Sequence, residues 1–396
     1  MPKTLLDLSP QPPLAEKRPV TYSRHGIARS DDYAWLRAAN WQEVCRDPGT
    51  LAADIRAHLE AENDYQTRVM ADTEDLRKAL FAEMRGRIKE DDSSVPMKDG
   101  PFAYGRSFRT GGEQPQFFRT PRDGGKETIL IDGDKEAEGK AYFWIGGVGH
   151  APDHGRLVWS YDDNGSEYYT LRFRDATSGS DLADLVPDTN GGGTWDAAGD
   201  GVFYCRLDDN HRPSKVFFHR LGTDVADDRL VYEEPDPGFF ANVSKTRTND
   251  WIFVSVRDHE TTEYHVLSAT LHEVEPVLVA AREAGVQYDL EEGGDIFFVL
   301  TNSAGAKDFR VMTAPVSDPR PENWSELVPH KPGTLILSII GFRDFLVRLE
   351  RADGLPRIVV HERASSVEHA IAFDEDAYSL GLIGANEYDT DIIRFS

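Results

Sequence analysis

A strand-rich unit with no internal helix recurs from about residue 100 to the end of the chain, and this repeat limits the possible folds more than any other feature. A period in the forties with about four strands per unit is typical of a β-propeller, in which closure into a ring leaves few sheet edges bare. The core strands begin mostly 45 to 55 residues apart, and they read Phe102-Ala103-Tyr104, Leu157-Val158-Trp159, Val202-Phe203-Tyr204, Trp251-Ile252-Phe253-Val254, Ile296-Phe297-Phe298-Val299, Phe345-Leu346-Val347 and Tyr378-Ser379-Leu380. We therefore predict a mainly β fold, a seven-bladed β-propeller whose last blade is incomplete because the sequence ends before its final hairpin.

The residues before the repeat follow a different pattern. Several prolines disfavour regular helix up to Val20, so this stretch is expected to be extended. Asp31 and Asp32 are suited to cap a helical stretch, and apolar residues spaced i, i+4 predict helix from Thr50 to about Arg87. We divide the chain into an N-terminal arm at residues 1–75, extended and then α-helical, and a propeller at residues 76–396.

Charge and composition exclude several classes of partner. The chain has 69 acidic and 44 basic residues and a formal net charge of −25, a field that repels nucleic acid and anionic membranes and attracts basic peptides. No apolar run has the length of a signal peptide core or of a membrane span. The only cysteines, Cys45 and Cys205, are too few for a disulfide framework. The expected location is the cytoplasm, with no nucleic-acid or membrane partner.

Residue patterns alone predict no catalytic centre. Ser303 has Thr301 where a nucleophile elbow needs glycine, and a strand follows where the elbow needs a helix, so a plain hairpin loop is expected. Acidic doublets such as Asp162-Asp163 and Glu233-Glu234 are compatible with a carboxylate pair, but most lie in predicted turns, where aspartate is favoured for its local hydrogen bonds. No cofactor fingerprint and no metal-binding pattern is present, so neither a cofactor nor a metal is predicted.

Several segments in order carry a resemblance to a known family. In the arm these are His25-Gly26, Asp32-Tyr33-Ala34-Trp35-Leu36-Arg37, Leu59-Glu60-Ala61-Glu62-Asn63-Asp64-Tyr65 and Glu83-Met84-Arg85-Gly86-Arg87-Ile88. In the propeller they are Pro213 to His219, Leu221-Gly222-Thr223, Asp227-Asp228, Val231-Tyr232-Glu233-Glu234, Ala370-Ile371-Ala372-Phe373-Asp374 and Tyr388-Asp389-Thr390. With these segments the chain resembles the N-terminal part of the prolyl oligopeptidase family of serine peptidases, and most of all its oligopeptidase B branch, from about Arg18 to Phe395.

The resemblance implies a two-domain enzyme of which this chain carries the arm and the propeller. In the family an α/β-hydrolase domain, C-terminal to the stretch present here, supplies the catalytic Ser, Asp and His, and the arm packs on that domain. The implied partners are the hydrolase domain and short basic peptides, and the chain alone is expected to be inactive. Tyr168 aligns with an aromatic propeller position that reaches the substrate in the family, and Tyr232 falls near another.

Glu167 and Glu233, beside these two tyrosines, are the carboxylates expected to attract a basic peptide at the channel or at the domain interface. The alternative for the tyrosines is packing against a neighbouring blade. For the glutamates it is pairing with local arginines such as Arg172 or Arg229. Two other functions stay open: a free-standing propeller that acts as a binding scaffold, and a propeller hydrolase that uses loop carboxylates.

Overall fold

The computed structural model describes residues 10–270 and 273–396, and the chain divides into two compact units after Asp92. The predicted boundary between residues 75 and 76 falls inside a helix of the first unit. In the described part of the chain no helix is both long and apolar enough to cross a membrane.

From residue 10 onward, the first unit contains one hairpin and three α-helices. The hairpin consists of β1 (Val20–Arg24) and β2 (Ile27–Asp31), and its turn residues His25 and Gly26 both have positive φ, 54° and 75°. The helices are α1 (Trp41–Arg46), α2 (Ala53–Val69) and α3 (Glu74–Gly86), with 3-10 turns at Ala34–Leu36, Pro48–Thr50 and Ala71–Thr73. The predicted helix after Asp31 is therefore a single 3-10 turn, whereas the predicted helical stretch from Thr50 to Arg87 is present as α2 and α3.

A group of contacts around Arg18 joins the segment before the hairpin to α2. The Arg18 guanidinium donates a hydrogen bond of 2.6 Å to Asp54 and lies 4.1 Å over the Trp35 ring, while Trp35 Nε1 donates to the Glu16 carbonyl. Along α3, by contrast, apolar side chains stay about half exposed or more, namely Leu76, Leu80, Phe81 and Met84.

The second unit consists of antiparallel sheets in chain order. Blade 1 contains β3 (Met97–Asp99), β4 (Phe102–Ser107), β5 (Gln116–Pro121) and β6 (Thr128–Asp132), and the one-turn helix α4 (Gly133–Glu136) follows it. Blades 2 and 3 form one seven-stranded sheet of β7 (Trp144–His150), β8 (Arg156–Asp162), β9 (Tyr169–Asp175), β10 (Asp181–Trp195), β11 (Gly201–Leu207), β12 (Pro213–Arg220) and β13 (Arg229–Glu233), with a 3-10 turn at Val225–Asp227.

The remaining blades are separate sheets. Blade 4 contains β14 (Phe240–Lys245), β15 (Trp251–Arg257), β16 (Thr262–Ser268) and β17 (Val277–Ala280). Blade 5 contains β18 (Tyr288–Glu292), β19 (Ile296–Thr301), β20 (Arg310–Pro315) and β21 (Ser325–Val328), with 3-10 turns at Ser303–Gly305 and Pro321–Asn323. Blade 6 contains β22 (Thr334–Gly341), β23 (Phe345–Ala352), β24 (Leu355–Glu362) and β25 (Glu368–Ala370), and a two-stranded partial blade of β26 (Leu382–Ile383) and β27 (Arg394–Phe395) follows.

The core lies at the seams between blades and is built mainly from second strands. Phe203, Ile252, Phe297 and Leu346 are fully buried, and Phe253 meets Phe297 edge-on at 5.4 Å across the seam between blades 4 and 5. Six of the seven core strands read from the sequence are these second strands. Burial of such side chains is the main favourable contribution to folding.

The seventh predicted core strand, Tyr378-Ser379-Leu380, is wrong. These residues form no strand, and the second strand of the partial blade is β27, which begins 49 residues after β23. The earlier, weaker apolar run lies just before the first strand, β26. The period of the repeat therefore predicts the position of β27 correctly, whereas the apolar run at residues 378–380 does not mark a strand.

Candidate functional site

The four candidate residues lie at one end of their blades. In a four-stranded antiparallel sheet, the connection between the second and third strands and the linker to the next blade emerge on the same side. We call this side of the propeller the upper face, and the side with the other turns the lower face. Glu167 and Tyr168 lie in the β8–β9 connection, and Tyr232 and Glu233 end β13, so all four lie at the upper face.

A buried aspartate shapes the loop that presents Glu167. The two carboxylate oxygens of Asp162 accept the backbone N–H groups of Asn164, Gly165 and Glu167 at 3.1, 3.0 and 2.8 Å. Glu167 itself is exposed and has a φ of 59°, in the left-handed region that is unfavourable for a side chain of this kind. It forms no ion pair within the part of the chain that the structure describes, and Arg172 is instead paired with Asp181.

Tyr168 connects blade 2 to blade 3. Its hydroxyl donates a hydrogen bond of 3.2 Å to the Asp208 carbonyl, and its half-buried ring lies edge-on to His211 with ring centroids 4.1 Å apart. In this structure the side chain therefore packs on the neighbouring blade at the upper face.

Tyr232 belongs to a network of charges at the seam between blades 3 and 4. Its hydroxyl donates to Glu234 at 2.8 Å, and Arg282 donates to Glu234 at 2.6 Å and to Glu263 at 3.1 Å. His265 lies 3.0 Å from Glu263, and both glutamates are buried. Burial, and then the hydrogen bond to Glu234, raise the pKa of Tyr232. The tyrosine hydroxyl thus acts as a permanent donor within a fully engaged network.

Glu233 points away from this network. It is exposed and forms an ion pair of 3.0 Å with Lys215 on the neighbouring strand β12, whereas Arg229 pairs with Glu275. Of the two carboxylates expected to attract a basic peptide, one is therefore neutralised by a lysine and the other, Glu167, is not.

Exposed aromatic side chains lie beside the loop that presents Glu167, and the sequence analysis did not single them out. Tyr142 is 44% exposed and Trp144, at the start of β7, is 55% exposed. The Tyr142 ring lies 4.0 Å from the side-chain position of Gly165. Burial, and then the charges of Asp162 and Glu167, raise the pKa of Tyr169. The available sequence signal was the run Tyr142-Phe143-Trp144, of which Tyr142 and Trp144 are exposed and Phe143 is buried. Exposed aromatic rings near a carboxylate suit a cationic side chain.

The acidic doublets, which also include Asp208-Asp209 and Asp227-Asp228, have structural partners. Asp208 accepts hydrogen bonds from its own turn and from Arg212, and Asp228 holds His219 and the Tyr204 hydroxyl. Asp162 and Glu234 likewise accept hydrogen bonds, so one carboxylate of each doublet is used in a turn or at a seam between blades. Ser303 lies in the β19–β20 loop, as expected, and no group of three potential ligands that would hold a metal ion occurs among residues 10–270 and 273–396.

Comparison with known proteins identifies a family across nearly the whole chain. Residues 12–396 match the model of the prolyl oligopeptidase N-terminal β-propeller domain. Dipeptidyl aminopeptidase BI of Pseudoxanthomonas mexicana is 32% identical over 99% of this chain and 55% of its own length. Protease 2 of Moraxella lacunata is 29% identical over 96% of this chain and 54% of its own length.

Solved structures give the same result. Oligopeptidase B from Leishmania major matches with a TM-score of 0.88 and 28% identity, over 97% of this chain and 57% of that protein. Oligopeptidase B from Trypanosoma brucei, with covalently bound antipain in a closed form, matches with a TM-score of 0.87 and 27% identity, over the same shares. The chain spans about half the length of the relatives that it matches.

Proposed function

We propose a gating role for this chain, which belongs to the prolyl oligopeptidase family as its N-terminal β-propeller region. In this role it gates a cytoplasmic, oligopeptidase B-like serine peptidase that cleaves short peptides after basic residues. In this proposal an α/β-hydrolase domain supplies the serine, aspartate and histidine. The propeller limits access to short flexible peptides and attracts basic ones. The 396-residue chain by itself does not cleave peptides.

The observation that carries the proposal is Glu167, an exposed carboxylate at the upper face with no ion pair in the described ranges, held by the Asp162 turn beside exposed aromatic rings. A net charge of −25 favours the approach of basic peptides over long distances. The identity of 27–28% to two oligopeptidase B structures supports the same substrate class.

A second candidate activity comes from the relative that is 32% identical, which is named a dipeptidyl aminopeptidase. Such an enzyme removes dipeptides from a free N-terminus, and an exposed carboxylate also suits the terminal ammonium group. Substrates with blocked and free N-termini separate the two activities, because only the endopeptidase accepts a blocked peptide.

The test uses the protein encoded by the complete gene and a blocked fluorogenic peptide with arginine before the scissile bond. We expect cleavage by the complete protein and none by the 396-residue chain. Glu167→Gln should lower kcat/KM about fivefold at low salt, the effect of one lost interaction of about 1 kcal/mol, and less at high salt. Glu233→Gln should have a smaller effect, because Lys215 already neutralises this carboxylate.

The matched control is Glu127→Gln, which removes the same charge from an exposed turn at the lower face. Equal effects of Glu167→Gln and Glu127→Gln would contradict local steering. A complete gene without a hydrolase reading frame would favour a binding scaffold. Turnover by the chain alone would favour a loop-carboxylate hydrolase or an active Ser303, which Ser303→Ala distinguishes.

A further inference from the structure

A cavity of about 590 Å³ lies at the centre of the ring, and its lining includes the lower-face turn of blade 4 from Lys245 to Asn249. Its walls come from blades 1, 2 and 4 and from the partial blade, and only the central channel is shared by blades so far apart along the ring. One side of the cavity is apolar, with Met97, Phe117 and Val148 among its lining residues. The volume is within the range of sites for small molecules and short peptides.

The part of the lining that blade 4 contributes contains the cation Lys245. Lys245 is the last residue of β14, and its ammonium donates a hydrogen bond of 2.6 Å to the Asn249 side-chain oxygen within the same turn. It forms no ion pair among the described residues. Burial lowers the pKa of Lys245, and the more distant charges of Asp99 and Asp196 only oppose this effect. A partly desolvated ammonium with a neutral amide as its partner is unfavourable unless an anion approaches it.

The one carboxylate in the described lining, Asp99, is held by another residue and not by Lys245. Asp99 is engaged by His150 at 2.8 Å, and the His150 ring stacks on Tyr104 with centroids 3.9 Å apart. Arg247 is paired with Glu291 at 2.9 Å. Arg106, also in the lining, is exposed and forms no ion pair in the described ranges. In a chain with a net charge of −25, two cations of one cavity thus form no ion pair within residues 10–270 and 273–396, and this arrangement suits an anion.

We propose that this cavity binds a short peptide by its C-terminal carboxylate, with Lys245 as the counter-ion and the apolar wall in contact with the peptide side chains. The carboxylate would accept charge-assisted hydrogen bonds from the Lys245 ammonium, the strong kind for such a pair. An inorganic anion would leave the apolar wall unused, whereas a peptide with an apolar last residue uses both sides. The inference rests on the proposed function only in taking a peptide as the ligand, and the site differs from the upper-face candidates.

The test is titration calorimetry of the 396-residue chain with N-acetyl-Ala-Ala-Leu, supplied as the free acid and as the C-terminal amide. Acetylation removes the terminal ammonium, so the two probes differ only in the carboxylate. We expect the acid to bind about tenfold more tightly than the amide, the effect of losing one hydrogen bond between charged groups. The preference should decrease with added salt.

Variants assign the preference to its residue. Lys245→Met should abolish it, Lys245→Arg should keep it, and the control Lys126→Met, at an exposed lower-face lysine, should leave it unchanged. Arg106→Gln should weaken it partly, and this exposed position tests the site even where Lys245→Met impairs folding.

Three outcomes would overturn the inference: equal binding of acid and amide, a preference that persists in Lys245→Met, or binding of inorganic phosphate without binding of the peptide. The binding test measures no turnover. A failure of the proposed peptidase function in the complete enzyme would therefore not change the binding result, and a failure to bind the peptide acid would not contradict the peptidase function.

Discussion

At the scale of single residues, the network around Arg282 links buried charges of two blades. Glu234 follows the last strand of blade 3, whereas Glu263, His265 and Arg282 belong to blade 4, so the network crosses a seam. Arg282 also lies 4.2 Å over the Phe239 ring. Buried charges are tolerated when each is paired, and removal of one partner leaves the others uncompensated.

We predict that Glu263 makes folding depend on pH. Burial alone would raise the pKa of Glu263, but its bonds to His265 and Arg282 outweigh burial and hold the pKa at about 2, below its ordinary value of 4.5. Its contribution is therefore present above pH 4.5 and is lost as the pH falls towards 2. Glu263→Gln should cost roughly 3 kcal/mol of unfolding free energy at pH 7 and much less near pH 3.

Urea unfolding at pH 7, 5 and 3 measures this difference against the unchanged chain. Glu260→Gln, an exposed position in the same hairpin, is the control and should change stability little at any of these pH values. A cost for Glu263→Gln that stays constant from pH 7 to pH 3 would contradict the assigned pairing.

The sequence analysis identified Tyr232 and Glu233 as neighbouring candidates but did not predict their different environments. Side chains of successive strand residues point to opposite faces of the sheet, so one of the two is directed to the seam between blades 3 and 4 and the other to solvent. The register of strand pairing decides which of the two faces the seam. Lys215 became the partner of Glu233 because β12 places it directly opposite, and no local pattern in the sequence shows that pairing.

At the scale of secondary-structure elements, β10 is unusual because it serves two blades. Its first half pairs with β9 and its second half with β11, and Thr189 pairs with both. The strand turns from one blade into the next where Asp188 and Gly191 have positive φ, 59° and 90°. Gly191 also lies under the Tyr169 ring, so an added methyl group would come within 3.1 Å of Tyr169.

We predict that Gly191→Ala destabilises the propeller by about 2 kcal/mol, because the methyl group is strained by the backbone and crowded by the ring. Gly192→Ala, one residue further on, is the matched control, since φ there is not positive and its nearest neighbour is 3.5 Å away. The midpoint of guanidinium unfolding should fall for the first variant only. Equal shifts for the two variants would show that the bend tolerates a side chain.

Elements with strong local signals were predicted well, and elements set by a few residues were not. The second strands carry continuous apolar runs because both of their faces are buried, and six of them were located from the sequence. The β1–β2 hairpin was missed because most of its residues are exposed and it shows no such run. Its one signal was His25-Gly26, at the turn where both residues need positive φ.

At the scale of the whole propeller unit, the ring closes through polar contacts between the partial blade and blade 1. The Arg394 guanidinium donates to the Val95 and Pro96 carbonyls at 3.3 and 2.7 Å, and Arg122 pairs with Glu387. The other seams are packed mainly by apolar side chains. This seam therefore depends on a few charged groups that are partly exposed to water.

We predict that Arg394→Ala opens this seam locally. Amide hydrogen exchange should become about five- to tenfold faster in residues 97–107 and 382–395, the effect of losing hydrogen bonds from one charged group. Exchange mass spectrometry measures it, with Arg351→Ala, an exposed arginine of blade 6, as the control. Faster exchange throughout all blades would indicate global destabilisation and contradict a local closure.

The contact between Arg394 and Val95 has a consequence for protein engineering. The two ends of the propeller unit lie side by side, so a short linker from Ser396 to Ser93 would complete a covalent circle. A circular permutant then needs new termini, and residues 189–193 are unsuitable because a cut there divides a strand that two blades share. The exposed turn at residues 235–238, rich in proline and glycine, is the better place, so permutation would move the break in the backbone to the seam between blades 3 and 4.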